Sequence, residues 1–119
     1  MTSQPDTETP LIERLKTRAQ FLACARGRSV SKGAVVVQML PHEGQEAIRA
    51  GFTATRKIGG AVVRNRAKRR LREAARLLLP LHGVPGRDYV FIARGGTATR
   101  PWARLLDDVK SALISVAPD

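Results

Sequence analysis

Residues 61–79, AVVRNRAKRRLREAARLLL, leave this chain few choices of fold. Wound at 100° per residue, Ala67, Leu71, Ala74, Ala75 and Leu78 fall on one stripe, with Lys68, Arg69, Arg72 and Arg76 opposite. Arg66 and Arg70 lie on the far edge of the cationic face and Arg64 on the near one. Such a helix must dock its stripe on an apolar surface and leave its other face outside. Between Arg64 and Arg72, six of nine positions are Lys or Arg, and the only acid nearby is Glu73. Like charges one turn apart repel by roughly a few tenths of a kcal/mol per pair. That density therefore points to a polyanionic partner that offsets the repulsion.

The surface for that stripe is legible on either side of it. Ile48 to Arg56 alternates, with Phe52 and Ala54 pointing one way and Thr53, Thr55 and Lys57 the other, as in a half-buried strand. Gly59-Gly60 breaks this pattern before the basic helix, and Pro80, Gly83, Pro85 and Gly86 form a loop after it. Asp88 to Arg94 is nearly continuously apolar, which suits the interior of a sheet. Val30 to Leu40 carries the β-branched run Val35-Val36-Val37. The polar turn Pro41–Glu46 predicts a hairpin from there into the strand at Ile48.

A short helix over 17–26 opens with Thr17 and has Gln20 three positions on, the pattern of a capping box. Gly27 predicts a left-handed stop, and Phe21, Cys24 and Ala25 share a face with Leu22 beside it. Pro101 suits the first turn of a last helix. Trp102, Leu105, Leu106, Val109, Ala112, Leu113 and Val116 follow helical spacing there, so Trp102 is expected in the core. The expected fold is α+β, a single domain of order αβββαβα with a small mixed sheet packed by helices. A chain of 119 residues buries roughly two-thirds of its unfolded surface, enough for one core. Residues 1–10, with Asp6 and Glu8 among Ser, Thr and Pro, read as a flexible acidic tail, and 11–119 as the domain.

The net charge of +11 makes nucleic acid and anionic membrane the first partners to weigh. No apolar run approaches the roughly 20 residues of a membrane span. A membrane-surface helix carries bulky apolar residues opposite its charge, whereas this stripe is partly alanine and is needed for the core. Nucleic acid is favoured. Arginine outnumbers lysine, which suits forked contacts to phosphate and base edges. If about six of these charges meet phosphates, affinity falls by about two to three decades between about 50 and 200 mM salt.

Catalytic chemistry is not visible. Cys24 is the sole cysteine, which rules out an internal disulfide and a cysteine zinc cluster and leaves it as a small buried residue suited to a reducing cytosol. His42 and His82 lie in turn-like polar stretches and are expected to be solvated. Asp107 and Asp108 are adjacent, so on a helix they diverge rather than form a paired site. The glycines at 59–60 and 95–96 lack phosphate-loop spacing. No catalytic residue and no metal ligand is expected. The polar, acidic start is wrong for a signal peptide, and a cytoplasmic protein is expected. Asn65, in the first turn of the basic helix, can cap it locally or can bond a base or sugar; both readings stand.

The triplet Arg64-Asn65-Arg66, continued as RNRAKRRLRE and preceded by GFTATRKIGGAVV, resembles the signature of the bacterial ribonuclease P protein subunit. The resemblance runs over residues 11 to 116, through Phe21 on the first helix, the valine-rich strand, DYVFIAR at 88–94 and the closing apolar helix. It implies a protein subunit of an endoribonuclease whose catalyst is a large RNA that removes the 5′ leader of precursor tRNA. Magnesium, held mainly by that RNA and the substrate, is the implied cofactor, with no organic one. The implied partners are the catalytic RNA, at one protein per RNA, and precursor tRNA; no membrane is involved.

By the same resemblance, Arg64, Asn65, Arg66, Lys68, Arg69 and Arg72 face the RNA, while Phe21, Thr53, Thr55, Lys57 and Arg94 line the leader cleft. A left-handed βαβ crossover around the basic helix is implied as well, against the usual hand. The family often has a second aromatic where this chain has Ala25, and another where it has Gln38. Leader binding here is therefore expected to rest less on rings and more on charge. The rivals are a ribosomal-protein-like RNA binder, which explains the charge but not the register over the whole length, and a small metal-dependent nuclease acting alone, which the lack of clustered acids and histidines opposes.

Overall fold

The structure, a computed structural model, describes residues 12–42 and 46–117. The acidic tail read at 1–10 and the centre of the Pro41–Glu46 turn lie outside those residues. The elements are β1 (Ile12–Arg14), α1 (Arg18–Ala25), β2 (Arg28–Lys32), β3 (Val35–Pro41), β4 (Ile48–Thr53), α2 (Ala61–His82), β5 (Arg87–Ala93) and α3 (Trp102–Val116). The expected order αβββαβα is there, with the three-residue strand β1 added in front. The five strands form one mixed sheet in the order β1-β4-β5-β3-β2.

The sheet separates two apolar layers by strict alternation. Val35, Val37 and Met39 of β3, Ile48 and Ala50 of β4, and Tyr89, Phe91 and Ala93 of β5 face α2 and α3 in the main core. Phe52 and Phe91 are paired in register and stack at 5.4 Å between ring centroids. The opposite side of the same strands, through Val90, Ile92 and Leu40, meets only α1, with Leu15, Phe21 and Cys24. β5 is central and buried on both faces, as its continuous apolar run predicts.

That centrality overturns the hairpin expected between the valine-rich strand and the strand at Ile48. β3 and β4 are not neighbours; β5 lies between them, antiparallel to β3 and parallel to β4. β4 and β5 are joined by α2, a crossover between adjacent parallel strands. The hairpin sits earlier, at Gly33-Ala34, where Lys32 pairs with Val35 and turns the Val30–Leu40 stretch into β2 and β3. The carboxylate of Asp108 on α3 accepts from the Ala34 amide at 3.0 Å and fixes that turn to the core.

Several boundaries move for local reasons. Thr17 caps α1 with the expected box, its hydroxyl accepting from the Gln20 amide while the Gln20 side chain accepts from the Thr17 amide. Gly27 is not a left-handed stop, because its φ is not positive. A Cβ there would sit 2.2 Å from the carbonyl oxygen of Met39, so glycine is needed to let β3 pass. Ala25 and Leu22 are exposed, and only Phe21 and Cys24 of the expected α1 face turn inward. β4 ends at Thr53, short of Arg56, because residues 56–58 wind into a 3-10 turn. α2 continues through Pro80 to His82 rather than stopping at Leu79, and Leu79 joins the buried stripe.

Candidate nucleic-acid interface

Gly60 is the N-cap residue of α2, and neither Asn65 nor any other side chain caps that N-terminus. No acid stands in its first turn, so the amides there keep their partial positive charge. Its buried stripe is Ala67, Leu71, Ala74, Ala75 and Leu79. The six expected RNA-facing residues divide by phase around that stripe. Arg64, Lys68 and Arg72 recur every fourth residue on the flank toward β4, the first two half-buried. The Arg72 guanidinium lies 5.6 Å from the centroid of the Phe52 ring. Asn65, Arg66 and Arg69 are exposed on the outward face.

Two further cations of the helix are already engaged. Arg76 pairs with Glu73, which it holds below its ordinary pKa through hydrogen bonds. Arg70 donates from Nη1 to the Thr97 carbonyl at 2.6 Å and from Nη2 to the Arg100 carbonyl at 2.5 Å. It is a tie between α2 and the 94–101 loop, a role the charge pattern did not reveal. Thr97, wholly buried, accepts from the Arg94 amide, and its hydroxyl reaches the Ala34 carbonyl at 2.6 Å. Arg100 closes the set with Asp108: its Nε sits 2.6 Å from Oδ2 without hydrogen-bond alignment, so that contact is an ion pair.

The second surface is the sheet face under α1. Phe21 lies directly on Gly51, where a Cβ would meet the ring at 2.5 Å. Gly51 thus leaves the room in which the edge of the ring rests on β4. Thr53 is on the same face two residues along, about 7 Å further. Ile92 is its register partner, and Arg94 follows just past β5, hydrogen-bonded to the Ser31 hydroxyl. Phe21, Thr53 and Arg94 therefore share one face of the sheet, a trough beside α1, with the Arg94 side chain directed across β3 to β2. Thr55 and Lys57 are exposed beyond the end of β4, and Lys57 belongs to the 3-10 turn, so the strand alternation that grouped them with Thr53 does not hold.

The two surfaces meet at an open edge. β1 stops at Arg14 opposite Ala50, which leaves β4 unpaired on that side from Gly51 onward. There Phe21, Gly51, Arg14 and Leu15 share a cavity of about 100 Å³ with Lys68 and Arg72. Arg14 and Gly51 escaped the sequence reading; an isolated glycine inside a strand pattern is the signal that could have found the latter.

At the other end of β4 and β5 lies a part-buried polar cluster. Asp88 accepts from Arg49 Nε and Nη2 at 2.7 and 2.9 Å, and His42 donates from Nε2 to the Ala47 carbonyl at 2.9 Å, next to Asp88. The His42 side chain is only 9% exposed, against the solvated loop expected for it, because the ring turns inward to the Ala47 carbonyl and Asp88. His82 is the last residue of α2 and half-buried. Cys24 is fully buried, and burial, with the Asp88 charge adding to it, pushes its thiol up to about 12. Trp102 also departs from expectation. It opens α3 and remains 36% exposed, since the first turn overhangs the end of the core.

A small α+β domain with a cationic helix beside an aromatic-bearing trough has the chemistry of a polyanion-binding module. Among the described residues no helix is long and apolar enough to cross a membrane. Residues 10–117 match the family described as Ribonuclease P. The chain is 66% identical over 109 residues to the ribonuclease P protein component of Caulobacter vibrioides, covering 91% of this chain and 73% of that one. It is 53% identical over 105 residues to the ribonuclease P protein component of Ruegeria pomeroyi, covering 86% and 84%. The solved ribonuclease P protein of Thermotoga maritima superposes with a TM-score of 0.76 at 26% identity, covering 89% of this chain and 99% of that one. The chain belongs to the ribonuclease P protein-component family.

Proposed function

We propose that this chain binds the catalytic RNA of ribonuclease P through Arg64, Asn65, Arg66, Lys68, Arg69 and Arg72, and holds the 5′ leader of precursor tRNA in the trough of Phe21, Thr53 and Arg94. Thr55 and Lys57, exposed past the end of β4, are assigned to the leader as well. The observation that carries the reading is the shared cavity in which Phe21 meets Lys68 and Arg72. A strand leaving the RNA-facing helix can enter the trough there without crossing an uncharged surface.

The chain's part is positional. Arginine forks and the uncapped start of α2 suit phosphate, and the Phe21 ring offers a stacking surface that any base can use. Among the described residues no three His, Cys, Asp or Glu side chains gather as a metal site. In this reading magnesium would be held mainly by the RNA and the substrate, where it would supply the activated water for cleavage. One protein per RNA is the stoichiometry proposed.

The test is reconstitution with the same organism's candidate RNA at low magnesium, following 5′-end formation with and without the protein. Stimulation by the wild-type protein and its loss in Arg66→Ala/Arg69→Ala support the reading. RNA binding without any stimulation would instead favour the ribosomal-protein-like reading. Cleavage by a nuclease-treated, RNA-free preparation would show that the chain carries its own catalytic site.

A further inference from the structure

Trp102 is the only tryptophan of the chain, and neither proposed surface uses it. It is held rather than loose. The Arg70 guanidinium lies 5.7 Å from its ring centroid, and that guanidinium is itself fixed by the Thr97 and Arg100 carbonyls. The ring borders a groove of about 590 Å³ between the first half of α2 and the start of α3, with Val62, Arg66, Arg69, Arg70 and Glu73. That volume is within the range of about 300–1,000 Å³ typical of small-ligand sites.

The chemistry of the groove is mixed in an informative way. Val62 is 81% exposed, an apolar side chain presented to water in the first turn of α2. Arg66 and Arg69 are exposed beside it, and Glu73 is already taken by Arg76, so it does not neutralise them. The groove therefore offers an aromatic surface backed by a cation, an apolar neighbour and two available forks. An acidic peptide would use the forks and leave the ring idle. An unpaired nucleotide uses all three.

We propose that this groove is a nucleotide subsite, in which an unpaired RNA base stacks on Trp102 against Val62 while its flanking phosphates lie on Arg66 and Arg69. The inference rests on the proposed RNA-binding function and extends it from charge contact to base contact. The subsite lies across α2 from the Phe21 cavity, since Lys68 and Arg72 face one side of the helix and Arg66 with Trp102 the other. It marks a base of the partner RNA rather than of the leader.

Because the tryptophan is unique, its emission reports this groove alone. Full-length protein is titrated with single-stranded oligoadenylate, with inorganic polyphosphate and with polyglutamate at matched charge. Oligoadenylate is expected to quench Trp102 saturably, in the wild type and in Phe21→Ala alike, and the two polyanions without bases to leave the emission unchanged. Trp102→Ala is expected to weaken oligoadenylate binding about ten-fold and to leave polyphosphate binding as it was. Trp102→Phe, which keeps a ring, is expected to stay within about three-fold of wild type.

Absence of quenching by oligoadenylate, equal quenching by polyphosphate or polyglutamate, or dependence of the quench on Phe21 would each overturn the subsite. Processing of precursor tRNA by the wild-type holoenzyme, assayed in parallel, is independent of the quench. If it fails while the quench persists, the ribonuclease P reading falls and the nucleotide subsite stands.

Discussion

Phe21 and Cys24 lie on the same inward side of α1 and do opposite things. Phe21 is half-buried on Gly51 with one ring available to the trough, while Ala25 is exposed and Gln38, paired with Val90 in the sheet, brings an amide instead of a ring. With one aromatic in place of several, Phe21→Ala should cost less than about 2 kcal/mol of precursor affinity. Equilibrium binding to the reconstituted holoenzyme measures it, and a larger loss would show that stacking dominates after all. Cys24 is wholly inside, and its thiol is raised from 9.0 to about 12. The unfolded chain gives up this proton near pH 9 while the folded chain keeps it. The contribution to stability is thus complete below pH 9 and is lost as the pH climbs toward about 12. Between about pH 8 and 10.5, Cys24→Ala should lose less stability than wild type, by about 1–2 kcal/mol in urea unfolding. Tyr89, also raised by burial, leaves a residual drop in the variant.

At the scale of elements, the reading of α2 shows what periodicity can and cannot tell. The stripe Ala67, Leu71, Ala74 and Ala75 was legible because 3.6-residue spacing is a property of the chain itself. The fate of Arg70 was not, since it depends on two carbonyls 27 and 30 residues away. Arg70→Ala should therefore act on the fold, costing about 2–3 kcal/mol of stability, because a charged donor shared by two part-buried carbonyls is strong. Arg69→Ala, only one residue earlier but exposed, should change stability by less than about 0.5 kcal/mol and weaken RNA binding instead. Thermal unfolding and RNA titration of the two variants side by side separate these roles. Trp102 was misplaced for a related reason. Its spacing fits the buried face of α3, but spacing does not say where the core beneath that face ends.

Across the whole molecule, the net charge of +11 is concentrated on α2 and its flanks rather than spread evenly. With Arg70 and Arg76 occupied, about six α2 residues remain for RNA, five of them cationic. The logarithmic salt slope should then be about −3.5 to −4.5, equivalent to between two and three decades of affinity from about 50 to 200 mM salt. A slope near −1 in a titration of the protein with its RNA would mean that most of these side chains do not reach phosphate. Class and element order were readable at this scale, because β5 announces a buried central strand and α2 an amphipathic helix. The neighbour relations of the strands were not, because a polar turn after β3 looks the same whether the chain folds back beside it or travels one strand further.

That longer step has a consequence for how the protein is made. Until β5 enters, β3 and β4 have no strand between them, and the halves β2-β3 and β1-β4 cannot form one sheet. A nascent chain that has reached His82 already carries both halves and the basic helix, yet lacks the strand that joins them. Unpaired inner edges of this kind are open to mispairing with other chains. The protein can complete its core only after the codons for Arg87 to Ala93 have been translated, so a pause of the ribosome just before them would hold it in its most vulnerable form.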